Sequence, residues 1–250
     1  FASEGLGNVG FFMPEQVFGS GWGNYGMLGY LSALKENAKA DAYCDYFAVH
    51  GYDNTGVTSG FPSFAGWTAL WNEVQEGNNP KELWMTETHV GYTNFDNALS
   101  VAVAIHGSLW AGNISLWTNW SFGDMQMTNN SPNSTFYTTK NFARYIRPGA
   151  VRVTTESDYA DLLSTAYENT DGSFTIVVIN KSTQSAPARF VGNNLPEEYK
   201  MYRTTKFENC LDVGLYNMND CPVAIPGKRV VTFIAEKTSN LTMDYLADVA

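Results

Sequence analysis

Hydrophobic and polar positions change their period near Pro148. Before it, short continuous apolar runs alternate with stretches whose apolar residues recur at helical spacing; after it, apolar and polar residues alternate. The continuous runs predict strands over Val9 to Pro14, Tyr46 to His50, Glu82 to Thr88 and Asn113 to Trp120. The helical spacing predicts a helix over Tyr25 to Ala40, with Leu28, Leu31 and Leu34 on one face and Lys35 and Lys39 late in the segment. A second covers Trp67 to Gln75 and a third Phe95 to Trp110, with a closing helix over Thr135 to Arg147. In these helices Trp67, Trp71 and His106 read as packing residues.

A β-α unit thus repeats four times, and its strands are continuous rather than alternating. That is the signature of a parallel sheet covered by helices. Beyond Gly149 the predicted strands are short: Val151 to Thr155, Leu162 to Tyr167, Phe174 to Asn180, Ala188 to Val191, Tyr199 to Thr205 and Arg229 to Ala235. Asn169-Thr170-Asp171-Gly172 is a hairpin turn between two of them, and such a series predicts a β-sandwich. The expected organisation is an α/β portion over 1–147, an all-β portion over 148–237 and a tail over 238–250, in which Leu241 to Ala250 has the pattern of a short amphipathic helix.

Composition sharpens the picture. Charged residues make up 16% and aromatics 14%, with 7 Trp and 14 Tyr, which suits a secreted (extracellular or periplasmic) enzyme or binder that stacks sugars. A net charge of −10 argues against a nucleic-acid partner, which needs a basic face. No apolar stretch approaches the roughly 18 residues of a membrane span. Of the three cysteines, Cys210 and Cys221 flank a short loop and are candidates to pair, whereas Cys44 lies in an apolar run as a core residue. With no CxxC and three scattered His, neither a metal site nor another cofactor is expected. The start, Phe1-Ala2-Ser3-Glu4, has no basic leader and no initiator Met, and reads as the middle of a longer chain.

Candidate chemistry gathers where the predicted strands end. Glu15 ends the first, His50 and Tyr52 the second, Glu87 and His89 the third, and Trp117 and Trp120 the fourth. Trp22 lies in the Gly-rich segment Gly19 to Gly23. In a (β/α)-barrel the strand ends converge on one face, where active sites are built. Taken singly, Glu87 also reads as a solvated loop carboxylate and His50 as a satisfied core histidine.

Three stretches carry a resemblance to glycoside hydrolase family 30. Leu83-Trp84-Met85-Thr86-Glu87 resembles the family's nucleophile strand, and Phe47-Ala48-Val49-His50-Gly51-Tyr52 the strand before it. Asn141 to Arg152 resembles the helix and linker that enter its side β-sandwich. The resemblance runs from Gly10 to Ala235 and implies the second half of a (β/α)8 TIM barrel, its fifth to eighth strands, followed by a β-sandwich domain. It implies retaining hydrolysis of a cell-wall-type β-glycan, such as a xylan, β-glucan or galactan, through a glycosyl intermediate on Glu87. His50, Tyr52, Trp120, His89, Glu15 and Trp22 become substrate-side candidates. Trp120 resembles the clan's platform tryptophan, Trp117 points to the other side of its strand, and Glu15 is open between a substrate contact and a brace of the barrel rim. The family's acid/base occurs in an Asn-Glu-Pro-type motif that this sequence lacks; its Asn72-Glu73 lies inside a predicted helix. The expected partners are an oligo- or polysaccharide and the N-terminal half of the barrel, as another chain or as sequence outside this one. The alternative is a non-catalytic carbohydrate-binding barrel or a fragment without the acid/base. The acidic balance also argues against an enzyme that grips a glucuronate branch.

Overall fold

Four segments, Phe12–Val17 (β1), Tyr46–His50 (β2), Glu82–Glu87 (β3) and Leu116–Trp117 (β4), form one parallel sheet in the order β1-β2-β3-β4. The structure is a computed structural model and describes residues 2–17, 27–52, 64–88, 94–217 and 222–236. Trp22, His89, Cys221 and the 238–250 tail lie outside the described residues. The chain divides into two compact units, Phe1–Phe136 and Tyr137–Ala250.

In the first unit the helices Met27–Glu36 (α1), Ala38–Tyr43 (α2), Phe64–Gln75 (α3) and Phe95–Trp110 (α4) connect the strands. Each new strand is laid beside the one before it. The order does not reverse partway as in a doubly wound sheet, and because all the pairings are parallel the four strands end along one edge. Alternate residues Phe47 and Val49 of β2, and Leu83 and Met85 of β3, point toward the helices. They join Met27, Leu31, Leu34, Trp67, Leu70 and Val74 in one buried core. Each such side chain stabilises the unit by about 1.5–3 kcal/mol on burial. The opposite sheet face carries an aromatic group: the Tyr46 and Trp84 rings stack with centroids 3.9 Å apart, and Phe12 lies 5.6 Å from Trp84. Helix α4 is buried along most of its length; Asn94 caps it by accepting a hydrogen bond from the Asn97 N–H at 2.9 Å.

Several boundaries differ from expectation. The predicted first helix ends at Glu36, because Asn37 adopts an extended conformation and caps α2 through the Ala40 N–H. The first strand starts and ends later than predicted and continues through Pro14 and Glu15. Proline lacks an N–H, but among the described residues β1 pairs only with β2 and needs no donor on its other side. The fourth strand contracts to Leu116–Trp117, although Ser115, Thr118 and Trp120 still donate backbone bonds to the carbonyls of Leu83, Met85 and Thr88.

A short helix Phe122–Gln126 (α5) and the small hairpin Met127–Thr128 (β5) and Ser131–Pro132 (β6) precede the helix Ser134–Ala143 (α6). The unit boundary passes through α6, where sequence reading put it after Arg147. Asn141, on the last turns of α6, is fully buried in the second unit's hydrogen bonding. Its amide bonds the Thr204 hydroxyl and the Tyr137 carbonyl, and its Oδ1 and carbonyl both accept from the Thr232 hydroxyl.

The second unit has strands Val151–Val153 (β7), Leu162–Glu168 (β8), Phe174–Asn180 (β9), Ala186–Ala188 (β10), Glu198–Thr204 (β11), Leu211–Asn217 (β12), Val223–Ile225 (β13) and Arg229–Ala235 (β14). Six of them form an antiparallel sheet in the order β12-β11-β14-β9-β8-β7; β10 and β13 pair separately. Ala188, Val223 and Ile225 of the small sheet share one core with Ile176, Val178, Tyr199, Met201 and Phe233 of the large one, which makes a β-sandwich. Cys210 is a free buried thiol with the Tyr145 hydroxyl 3.6 Å away, and Cys44 is also free and buried; Cys221, the candidate partner of Cys210, lies outside the described residues. Among the described residues no helix is long and apolar enough to cross a membrane.

Candidate active site

The parallel ladder delivers three titratable side chains to one edge of the first unit. His50 is the last residue of β2 and Glu87 the last of β3, and a register shift between Val49 and His50 brings them opposite each other. On the other side of β2 the register skips from Pro14 to Gln16, so Glu15 is bulged out of β1 without a partner in the ladder. Glu15 has φ 60°, in the left-handed region where a non-glycine residue is uncommon.

The strand ends are tied to one another past the ladder. The Gly51 N–H donates to the Glu87 carbonyl at 2.7 Å, and the Thr88 hydroxyl to the Gly51 carbonyl at 2.8 Å. The Trp120 N–H donates to the Thr88 carbonyl at 2.9 Å, and the Thr118 hydroxyl donates to the Thr86 carbonyl. Glu87 therefore sits on a backbone clamped from both neighbours.

Around its carboxylate, the Tyr52 hydroxyl donates to Oε1 at 2.9 Å, and His50 Nε2 stands 3.5 Å from Oε2. The same Nε2 is 3.4 Å from Oε2 of Glu15, whose Oε1 accepts from the Thr86 hydroxyl at 2.5 Å. Glu87 and His50 keep about a fifth of their side-chain surface, 20% and 18%, and Glu15 keeps 37%. All three thus remain open to a ligand. Burial first, and then the hydrogen bond to Glu87 and its charge, push the Tyr52 phenol far above its ordinary value. Tyr52 therefore stays a donor to Glu87 at neutral pH.

Trp120, just beyond β4, is 63% exposed and offers a free ring face; Trp117 is partly buried against the helical core. This follows from the alternation of side chains along a strand. The structure thus brings Glu15, His50, Tyr52 and Glu87 together and places Trp120 on the adjoining strand end; Trp22 and His89 lie outside the described residues. Thr86 and Thr88 were missed from sequence. Their roles depend on contacts 71 and 37 residues away, and no local signal marks them.

One carboxylate with a phenol donor and an imidazole beside it is an arrangement that can serve as a nucleophile. Retaining glycoside hydrolysis needs a second carboxyl group about 5–5.5 Å away as acid/base. Among the described residues Glu15 is the other carboxylate at this edge, and both of its oxygens already face protein donors.

A family model described as the "Glycosyl hydrolase family 30 beta sandwich domain" matches residues 149–204. The chain is 32% identical over 173 residues to the glucuronoxylanase XynC of Bacillus subtilis strain 168, covering 63% of this chain and 40% of that protein. Among solved structures, it is similar to a GH30 endoxylanase from Clostridium papyrosolvens C71, with TM-score 0.74, 22% identity, and 93% of this chain on 57% of that one. It is also similar to the subfamily 8 xylanase Xyn30A of Clostridium acetobutylicum, with TM-score 0.73, 18% identity, and 94% of this chain on 58% of that one. These structural likenesses carry the fold. The chain spans about 40% of the length of the curated relatives it matches.

Proposed function

We propose that the chain is the C-terminal portion of a glycoside hydrolase family 30 enzyme and that it supplies the nucleophile half of a secreted, retaining β-glycanase acting on xylan. The observation that carries this reading is Glu87: a strand-end carboxylate with Tyr52 on one oxygen and the other oxygen turned to His50 and the open edge. Glu87 Oε2 attacks the anomeric carbon, the aglycone leaves with a proton, and water later displaces the sugar with net retention. Tyr52 fixes the carboxylate's rotation, and Trp120 offers its face to the sugar ring in the cleavage subsite. The acid/base and the first four strands come from sequence outside this chain. Two features favour that division: β1 and β4 each pair on one side only among the described residues, and the chain spans little more than half of its structural relatives.

The substrate is a neutral stretch of xylan. The segments that follow the four strands, 18–26, 51–63, 88–94 and 118–133, contain neither Lys nor Arg. These segments thus offer no lysine or arginine to pair with a glucuronate carboxylate.

The test is carried out on the protein that combines this chain with the preceding strands. NMR of the first-formed product from a β-xylo-oligosaccharide should show the β anomer. Glu87→Ala should lose turnover by about 10⁴-fold, and azide with an activated aryl xylobioside should restore it and yield the α-azide. An α anomer formed first, or full activity in Glu87→Ala, overturns the reading. Sugar binding without turnover would favour the non-catalytic alternative.

A further inference from the structure

We infer that Glu15 is a positioning residue for the nucleophile, acting through His50, rather than a contact to substrate. This rests on the reading of Glu87 as nucleophile. Three observations support it. Both oxygens of Glu15 face protein groups, Oε1 the Thr86 hydroxyl at 2.5 Å and Oε2 the His50 Nε2 at 3.4 Å, so neither is directed to a sugar. That same Nε2 stands 3.5 Å from Oε2 of Glu87, so a single ring nitrogen faces two carboxylates from two strands. The bulge at Glu15 leaves it outside the β1–β2 register and aims it across β2 toward β3.

The physical consequence concerns the imidazole tautomer. A neutral imidazole carries its proton on one nitrogen only, and which one is set by its hydrogen-bond partners. With two carboxylates at Nε2, the form with hydrogen on Nε2 is favoured twice. The other form would turn a lone pair toward two negative oxygens. Glu15 therefore keeps His50 a donor toward Glu87 even while the Glu87 oxygen is forming or leaving its bond to the sugar. Thr86 sits next to Glu87 in the chain and anchors Glu15, while its hydroxyl also lies 3.3 Å from the Val49 carbonyl. The brace is thus fixed to the strand that carries the nucleophile.

The test follows labelling of Glu87 by a 2-deoxy-2-fluoro β-xylobioside with an activated leaving group, which needs no acid catalyst, in the protein that combines this chain with the preceding strands. Glu15→Gln keeps an acceptor for Thr86 but presents an amide donor to Nε2, which favours the wrong tautomer. The labelling rate constant kinact should fall about 10- to 100-fold, the range for partners that orient a site residue, with KI unchanged; Glu15→Asp should recover part of the loss. In a His50→Asn background, Glu15→Gln should add less than about threefold, because residues acting as one unit are non-additive. Nitrogen-15 NMR of the His50 ring should show the proton on Nε2 in the parent and on Nδ1 in Glu15→Gln, a readout that survives should His50→Asn fail to fold. Parent-like kinact in folded Glu15→Gln, a loss confined to KI, additivity with His50→Asn, or an unchanged tautomer overturns the inference while leaving Glu87 in place. Absence of a label on Glu87 in the parent instead overturns the reading beneath it.

Discussion

Removing a single oxygen from Tyr52 tests how Glu87, the proposed nucleophile, is held. Tyr52→Phe deletes the 2.9 Å hydrogen bond to Glu87 Oε1, while the ring stays and its edge-on approach to His50, at 6.3 Å between centroids, is kept. A hydrogen bond to a charged group contributes about 1.5–3 kcal/mol, which is about 10- to 150-fold in rate at 1.36 kcal/mol per decade. Glu87 retains 20% of its side-chain exposure, so water replaces part of the lost bond and the low end applies. The expected loss is about tenfold in kcat/KM for an activated xylobioside, with little change in thermal stability. Because burial and the neighbouring carboxylate keep the Tyr52 phenol protonated, the hydrogen bond is present wherever Glu87 is charged. The tenfold ratio between parent and variant should therefore be constant from neutral pH up to about pH 9. An unchanged kcat/KM in a folded variant would refute the reasoning, as would a ratio that collapses over that range.

Three further outcomes concern the scaffold. Asn141→Ala removes a buried amide that bonds Thr204, Thr232 and the Tyr137 carbonyl, and should cost about 2–4 kcal/mol in urea unfolding of the second unit; a loss under about 1 kcal/mol would contradict it. Gly107→Ala gains about 1 kcal/mol of helix propensity but drives a Cβ into the Phe64 ring, which is edge-on to His106. Overpacking costs about 1–3 kcal/mol, so the melting temperature should fall, and a rise would show that Phe64 swings away freely. Burial raises the phenols of Tyr145, Tyr167 and Tyr199 above their ordinary value of 10.0. The folded state then holds protons that the unfolded chain releases, so stability is flat below about pH 10 and falls as pH rises past it. Tyrosinate absorbance should lag in the folded protein and jump on alkaline unfolding; smooth titration without unfolding would contradict this.

Much of this architecture was legible in the residues. Tyr46–His50 and Glu82–Glu87 are continuous apolar runs because each is buried by helices on one face and meets an aromatic layer on the other, and their carboxylate and imidazole ends stood out for that reason. The sandwich strands with clean alternation, such as Arg229–Ala235, were equally clear. Others were not. Leu211–Asn217 contains Asp212 and Gly214, poor strand formers that an edge position tolerates, and Val223–Ile225 is too short to show a period. At the site, Glu87 could be named because its position depends on its own strand. The partnership of Glu15 with Thr86 and His50 depends on a one-residue bulge in a different strand. Pro14-Glu15 instead read as the end of that strand, because proline ordinarily stops a ladder and only an edge forgives it.

The central claim is that Glu87 becomes covalently bonded to sugar. The most direct measurement is mass spectrometry of peptides from the protein that combines this chain with the preceding barrel strands, after incubation with a 2-deoxy-2-fluoro β-xylobioside carrying an activated leaving group. One fluoroxylobiosyl adduct, on Glu87 and lost on reactivation with a xylo-oligosaccharide acceptor, is the predicted result. An adduct on another carboxylate, or none in a sample that hydrolyses xylan, would contradict the account.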